Sequence, residues 1–137
     1  TRTVYKDGMK HGTEILYDDN GDIYQKADYA EGILNGRWEK YFGGVLIEKG
    51  IYLNGRKDGL WTFYSANGAK QREQNFHNGK PHGKWVEYYS ADKKAAEGEY
   101  SNGLKSGTWK NYNRSGKVLS TTVFDNGKKM KETIFDK

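Results

Sequence analysis

An aromatic residue with a glycine three places after it recurs down the whole chain. Tyr5, Tyr29, Tyr52, Phe76, Tyr100 and Phe124 stand 24, 23, 24, 24 and 24 residues apart, and Gly8, Gly32, Gly55, Gly79, Gly103 and Gly127 follow them. A second glycine comes at Gly12, Gly36, Gly59, Gly83 and Gly107. Two places further are Trp38, Trp61, Trp85 and Trp109, which are all the tryptophans in the protein, and three past these are Tyr41, Tyr64, Tyr88 and Tyr112, with Tyr17 at the same place in the first unit. One unit reads aromatic-x-Asn-Gly-x-x-x-Gly-x-Trp-x-x-Tyr. A fixed period of this length is the mark of a tandem array in which each unit buries its apolar face against its neighbours.

The composition makes sense only with that order. With 34% hydrophobic and 30% charged residues, a random arrangement would not form a core, but the 20 aromatics are mostly periodic and each can bury a large area. The runs after each Trp, such as Trp85-Val86-Glu87-Tyr88-Tyr89, lead through short turns into second runs such as Ala95-Ala96-Glu97-Gly98-Glu99-Tyr100. The turns Asp18-Asp19-Asn20-Gly21, Ser65-Ala66-Asn67-Gly68 and Asn113-Arg114-Ser115-Gly116 supply positive φ, as β-hairpin loops require. In the fourth unit Asp92 stands where the others have glycine and is expected to take the left-handed conformation.

The expected fold is all-β: hairpin repeats of about 24 residues stacked into an elongated, twisted single-sheet ribbon or open solenoid. The units span approximately 5–28, 29–51, 52–75, 76–99 and 100–123, with a partial cap over 124–137. At about 4.8 Å per strand, five such units make a ribbon about 50 Å long. Glu14 in place of Trp in the first unit, and the polar decay after Gly127, suit units that cap an array. Trp and Tyr three apart have opposite parity in a strand. Strict alternation would put them on opposite faces of a flat sheet, and a bulge, or a unit in which Trp opens the strand from outside the ladder, would reconcile them.

The unit resembles the MORN repeat, in particular its bacterial variant class with the YwqK-like, antitoxin-annotated proteins. Leu53-Asn54-Gly55-Arg56-Lys57-Asp58-Gly59-Leu60-Trp61-Thr62-Phe63-Tyr64 and His77-Asn78-Gly79-Lys80-Pro81-His82-Gly83-Lys84-Trp85-Val86-Glu87-Tyr88 carry the resemblance. It implies a β-hairpin ribbon or partial barrel without catalytic residues or cofactors, used for protein contacts, with lipid headgroups proposed for some members. It further implies either an exported or surface-associated bacterial protein in host or partner contact, or a toxin-neutralising one. The chain begins at Thr1, as expected of a mature or excised fragment.

The residues themselves offer little chemistry. There is no cysteine. His11 and His82 hold the same place in units too far apart to share an ion, and His77 near His82 lacks a carboxylate in its own unit. Glu73 and Glu97, in register with Lys26 and Lys49, read as a charged ladder on a solvent face rather than a catalytic pair. Charge is more telling. The glycine-bounded segments 6–13, 30–37, 53–60, 77–84, 101–108 and 125–132, read as linkers between hairpins, hold eleven Lys or Arg against five acids, leaving twelve and thirteen for the rest.

The candidate partner-binding edge is therefore Lys10, Arg56, Lys57, Lys80, Lys84, Lys105, Lys128 and Lys129, with Ile33 and Leu34 filling a gap in the second unit. The expected partner is a protein, with Leu53, Leu60 and Leu104 as further contacts. An anionic membrane surface and end-to-end self-association are secondary readings, and nucleic acid is not expected because the net charge of +5 is diffuse. The periodic aromatics are assigned to packing.

Overall fold

The computed structural model describes residues 2–135 and contains no helix among them. Thirteen strands follow one another: β1 (Tyr5–Lys6), β2 (Met9–Lys10), β3 (Gly12–Tyr17), β4 (Ile23–Ala30), β5 (Ile33–Phe42), β6 (Val45–Leu53), β7 (Arg56–Tyr64), β8 (Lys70–His77), β9 (Lys80–Ser90), β10 (Lys93–Ser101), β11 (Leu104–Tyr112), β12 (Val118–Asp125) and β13 (Lys128–Ile134). Strands β3 to β13 form one antiparallel sheet of 11 strands in strict chain order, and β1 pairs with β2 separately. The sheet does not close on itself, and the expected open hairpin array is the fold found. Residues 136 and 137 of the terminal cap lie outside the described residues.

The turns show why no linkers are needed. Asn54 and Gly55 have φ of 50° and 84°, and Asn78-Gly79, Asn102-Gly103 and Asn126-Gly127 repeat the pattern. Two successive positive φ values make a type I′ turn, whose twist matches that of the strands it joins. The segments read from sequence as linkers are thus hairpin turns followed by the opening halves of long strands, as Arg56–Gly59 is of β7. Each such turn is tied to the unit before it: Gly79 N–H donates to the Lys57 carbonyl at 2.9 Å, and Gly103 N–H to that of Pro81 at 2.7 Å.

At the opposite strand ends, five-residue loops at 18–22, 65–69 and 113–117 share one bonding pattern. They alternate with two-residue turns at Gly43-Gly44 and Ala91-Asp92. Asp92 is not left-handed, contrary to the expectation from sequence. Its turn closes over two residues where the other loops use five, and register shifts beside Lys94 absorb the difference.

The second glycine of each unit marks a bulge. Between β6 and β7 the pairs Lys49↔Thr62 and Ile51↔Asp58 differ in register by two residues, and β4–β5, β8–β9 and β10–β11 slip equally. On the other side of β7 the ladder is unbroken and places Gly59 opposite Phe76.

Parity then decides the question left open by the sequence. Trp and the anchor aromatic share one face, the Trp face, and the tyrosine after each Trp lies on the other, the Tyr face. The fifteen ladder residues therefore form two ladders. On the Trp face Trp38, Tyr52, Trp61 and Phe76 meet edge-to-face, with successive centroids 5.6, 5.1 and 6.2 Å apart, and Tyr100, Trp109 and Phe124 repeat this at 5.1 and 6.2 Å. Tyr5 is exposed in the small sheet and Tyr17 is exposed at the end of β3.

The indoles are of two kinds. Trp61 is fully buried and Trp109 nearly so, because Gly50 and Gly98 lie across from them and each ring rests flat on glycine backbone. Their Nε1–H groups donate to the carbonyls of Ile51 and Glu99, both at 3.1 Å. On the strand before them Trp38 and Trp85 face Ala27 and Gln74 instead, and the Gly50 and Gly98 that pair with them from the strand after are already covered by the rings of Trp61 and Trp109. Trp38 turns its N–H to the Glu48 carboxylate at 2.8 Å, Trp85 leans on Trp109, and both remain half-buried.

A Cβ at Gly50 would lie 2.1 Å from the Trp61 ring, and one at Gly98 2.0 Å from that of Trp109. Gly50→Ala and Gly98→Ala are therefore expected to expel the indole and cost about 3 kcal/mol. Gly107→Ala, strained at φ 71° but in open space, should cost about 1–2 kcal/mol. Denaturant midpoints read by tryptophan fluorescence give the order; equal losses at Gly50 and Gly107 would show that the ring does not depend on the glycine.

Candidate interaction surface

The basic edge divides between the two faces. Lys57 Nζ sits 4.6 Å from the centre of the Trp61 ring and 5.1 Å from that of Phe76, and Lys105 takes the same place over Trp109 and Phe124 at 4.7 and 5.1 Å. Lys10 lies 4.9 Å over Tyr29, Lys129 pairs with Glu132 at 3.1 Å, and Leu34 is half-buried opposite Tyr29. These five residues belong to the Trp face, where the ammonium groups of Lys10, Lys57 and Lys105 meet ring faces.

One residue earlier in each unit, Ile33, Arg56, Lys80, Leu104 and Lys128 point to the Tyr face and are exposed, as is Lys84 beyond the bulge. None of the basic residues in this second set has an ion-pair partner among the described residues. Beside them lie Ile33, Ile51, Leu53 and Leu60, four aliphatics about half exposed on the adjoining strands β5, β6 and β7. Ile51 was not singled out by sequence reasoning because it lies outside the glycine-bounded segment. Its spacing of two from Leu53 in one strand is the signal that places it there.

Shallow recesses run across this face. One of about 250 Å³ is lined by Arg37, Glu39, Lys49, Ile51, Leu60 and Thr62. A second of about 320 Å³ shares Leu60 and continues past Glu73, Val86 and Tyr88 to Lys84 and Lys94. A third of about 280 Å³ shares Lys84 and reaches Glu97, Glu99 and Lys110. Over β5–β7 the trough exposes mainly apolar surface between Arg37, Glu39 and Lys49, and over β9–β11 mainly polar surface.

The Tyr ladder floors it. Glu73 accepts a hydrogen bond from Tyr88 Oη–H and Glu97 one from Tyr112 Oη–H, while Lys70 and Lys94 approach these carboxylates at 3.6 and 3.3 Å. In the N-terminal half lysines occupy the equivalent positions, with Lys26 over the Tyr41 ring at 5.9 Å and Lys49 over Tyr64 at 6.0 Å. Burial, reinforced by the neighbouring carboxylate, pushes both the Tyr88 and Tyr112 hydroxyls up to about 12. The hydrogen bond from Tyr112, against a smaller opposing effect of burial, holds Glu97 below its usual range. Glu73 and Glu97 are thus half-buried ties to tyrosine, not members of a carboxylate pair facing a common substrate.

The histidines serve turns and ties. His82 Nδ1 accepts the Asn102 N–H at 3.0 Å, as Asn35 Oδ1 at the same place in its unit accepts that of Asn54 at 3.3 Å. His77 meets Asp58 of the preceding unit at 3.6 Å, a carboxylate that inspection of its own unit does not reveal. Among the described residues no three His, Cys, Asp or Glu are arranged to hold a metal ion.

Comparison with known proteins follows the same register. The profile of the MORN repeat variant family matches residues 10–31, 57–78, 81–102 and 105–126, more than half of the chain. The last three matched segments run from the strand that carries the second glycine, through one hairpin, to the next type I′ turn, and the first begins two residues before β3. The unit between the first two matches is the one with the Gly43-Gly44 turn and with Leu34 in the lysine position. Among curated proteins none matches the chain.

The half-buried phenols of Tyr88 and Tyr112 should titrate late in an ultraviolet titration, near pH 12 rather than 10. Because their folded values are raised, the stability they contribute is complete below pH 10 and is lost as pH rises from 10 to about 12. The lowered Glu97 acts oppositely, contributing above its usual 4.5 and losing that contribution as pH falls below it. Tyr112→Phe is expected to remove one late phenol and cost about 1–2 kcal/mol at neutral pH. Titration of all tyrosines near 10 would contradict the hydrogen bonds.

Proposed function

The chain belongs to the MORN repeat variant family, whose repeats are generally associated with protein or membrane interaction, and on that premise we propose that it is a non-catalytic scaffold docking a protein partner on its Tyr face. The observation that carries the reading is the unequal use of the two faces. On the Trp face the aromatics pack against one another and the edge lysines are held over their rings. On the Tyr face Ile33, Ile51, Leu53 and Leu60 are half exposed beside Arg56, Lys80 and Lys84, which no described acid pairs.

An apolar centre with a cationic margin fits a partner surface of opposite design, with apolar side chains ringed by carboxylates. Binding energy in such contacts concentrates in a few central apolar anchors, while marginal charges chiefly govern association rate and specificity. Ile51 and Leu60, at the recess in the middle of the patch, are the anchors, and Arg56, Lys80 and Lys84 the margin.

A bilayer is the weaker fit. The edge cations are divided between opposite faces, so a flat anionic surface laid on either one meets only part of them. Neutralising a toxin would be one use of the proposed surface, and co-expression with the product of a neighbouring reading frame tests that use directly.

Affinity capture from extracts of the native source separates these readings. Ile51→Asp with Leu60→Asp should abolish capture of the partner, and Arg56→Glu with Lys80→Glu and Lys84→Glu should weaken it at least about tenfold and remove its salt dependence. Glu87→Lys with Asn111→Asp, exposed positions of the Trp face, should leave capture unchanged. Retention by the Tyr-face variants would sink the proposal, and salt-sensitive flotation with anionic but not neutral vesicles would favour the bilayer.

A further inference from the structure

Each Asn-Gly turn is tied to the unit before it by its glycine N–H, and two of these turns carry a second tie. Asn54 N–H donates to Asn35 Oδ1 at 3.3 Å, and Asn102 N–H donates to His82 Nδ1 at 3.0 Å. Asn35 and His82 hold the same place in their units. The array thus makes one bond twice, once with an amide oxygen that does not titrate and once with an imidazole that does. His11, at that place in the first unit, leaves its Nδ1 without a partner among the described residues.

We propose that His82 is a pH-sensitive latch, which holds the Asn102-Gly103 turn of the following unit at neutral pH and releases it on acidification. An imidazole accepts through Nδ1 only while it is neutral, with its proton on Nε2. Protonation puts an N–H on Nδ1 as well, so that two donors face each other where a donor faced an acceptor. The bond belongs to the neutral ring alone, and histidine is the side chain whose charge changes between about pH 5 and 8. It is therefore present on the alkaline side of that change and lost as pH falls through it.

The groups around the ring turn this loss into an exchange of ties. From β8 the ring of His77 lies 6.0 Å from that of His82, and His77 Nδ1 is 3.6 Å from Asp58 Oδ1 of β7. Lys80 and Lys84 stand two residues to either side of His82 on β9, and Glu99 of β10 is paired with Lys84. Lys105 of β11 is held on the other face, over Trp109. Acid makes the contact of His77 with Asp58 an ion pair, back to the preceding unit, as it removes the tie from His82 forward to the following one. Release is local. Gly103 N–H still donates to the Pro81 carbonyl at 2.7 Å, a bond with no titratable group, so the hairpin keeps its register while the turn beside the half-exposed Leu104 loosens.

The test follows backbone amides of the whole chain by nuclear magnetic resonance from about pH 8 to about pH 5. The Asn102 amide proton should shift upfield in one transition that coincides with the titration of the His82 ring protons, while the Asn54 amide, held by Asn35, stays in place. His82→Asn supplies the acceptor that Asn35 already provides in its own unit, and should fix the Asn102 amide at its bonded position throughout. His77→Gln should leave the Asn102 transition as it is. An Asn102 amide that does not respond in the native chain, a transition that survives His82→Asn, or one that disappears in His77→Gln would each overturn the proposal.

Discussion

A one-layer sheet has no second layer to bury its side chains, and the contact that compensates is the indole of Trp61 lying flat on the backbone of Gly50. Removing a single Cβ there brings the ring within contact of the sheet itself, so the sheet becomes the floor of its own core. Tyr52 and Phe76 wall the ring at either edge and the Lys57 stem lies over it, which leaves Trp61 fully buried in a sheet otherwise open to solvent. Trp109 over Gly98 repeats the arrangement with Tyr100, Phe124 and Lys105. Where alanine or glutamine replaces the glycine, the indole keeps its place in the sequence but not its depth.

This gives the array a period of two units rather than one. Deep indoles at Trp61 and Trp109 alternate with shallow ones at Trp38 and Trp85, glycines Gly50 and Gly98 recur together, and five-residue loops alternate with two-residue turns. Lys57 and Lys105 share the same alternation, with Leu34 and Pro81 at the positions between. A unit with a shallow Trp is covered by its neighbours, since Trp85 leans on Trp109 and Trp38 meets Tyr52. Stability in such a structure comes from nearest-neighbour contacts along the array, and the pair of units is the natural increment.

The periodic aromatics, the turn glycines and the open hairpin array were legible in the sequence because each is repeated and each follows from local chemistry. What escaped was carried by exceptions to the beat or by contacts between units. Gly50 and Gly98 occur in only some units and so look incidental, yet they set the depth of the core. The segment from Asn54 to Gly59 looked like a linker because glycines bound it, although a type I′ turn continues a strand rather than interrupting it. Asp58 meets His77 and Asn35 meets Asn54 only once the hairpins lie side by side. The face of each ladder depended on whether the bulge restores or preserves parity, and a slip of two residues preserves it.

That even slip also determines how the surface divides. Had each bulge inserted one residue, Lys57 and Arg56 would have exchanged faces relative to Trp61, and the cations now held over aromatic rings would have been left unengaged. With two residues inserted, the Trp face keeps its lysines as a lid on the core and the Tyr face keeps Arg56, Lys80 and Lys84 beside Ile51 and Leu60. Substitution of Lys57 or Lys105 on the Trp face therefore disturbs packing as well as charge, whereas substitution at the exposed Tyr-face positions alters the surface with little effect on the fold. A repeat array built this way can vary what it binds while conserving how it stands, because the two tasks are assigned to opposite sides of the same strands.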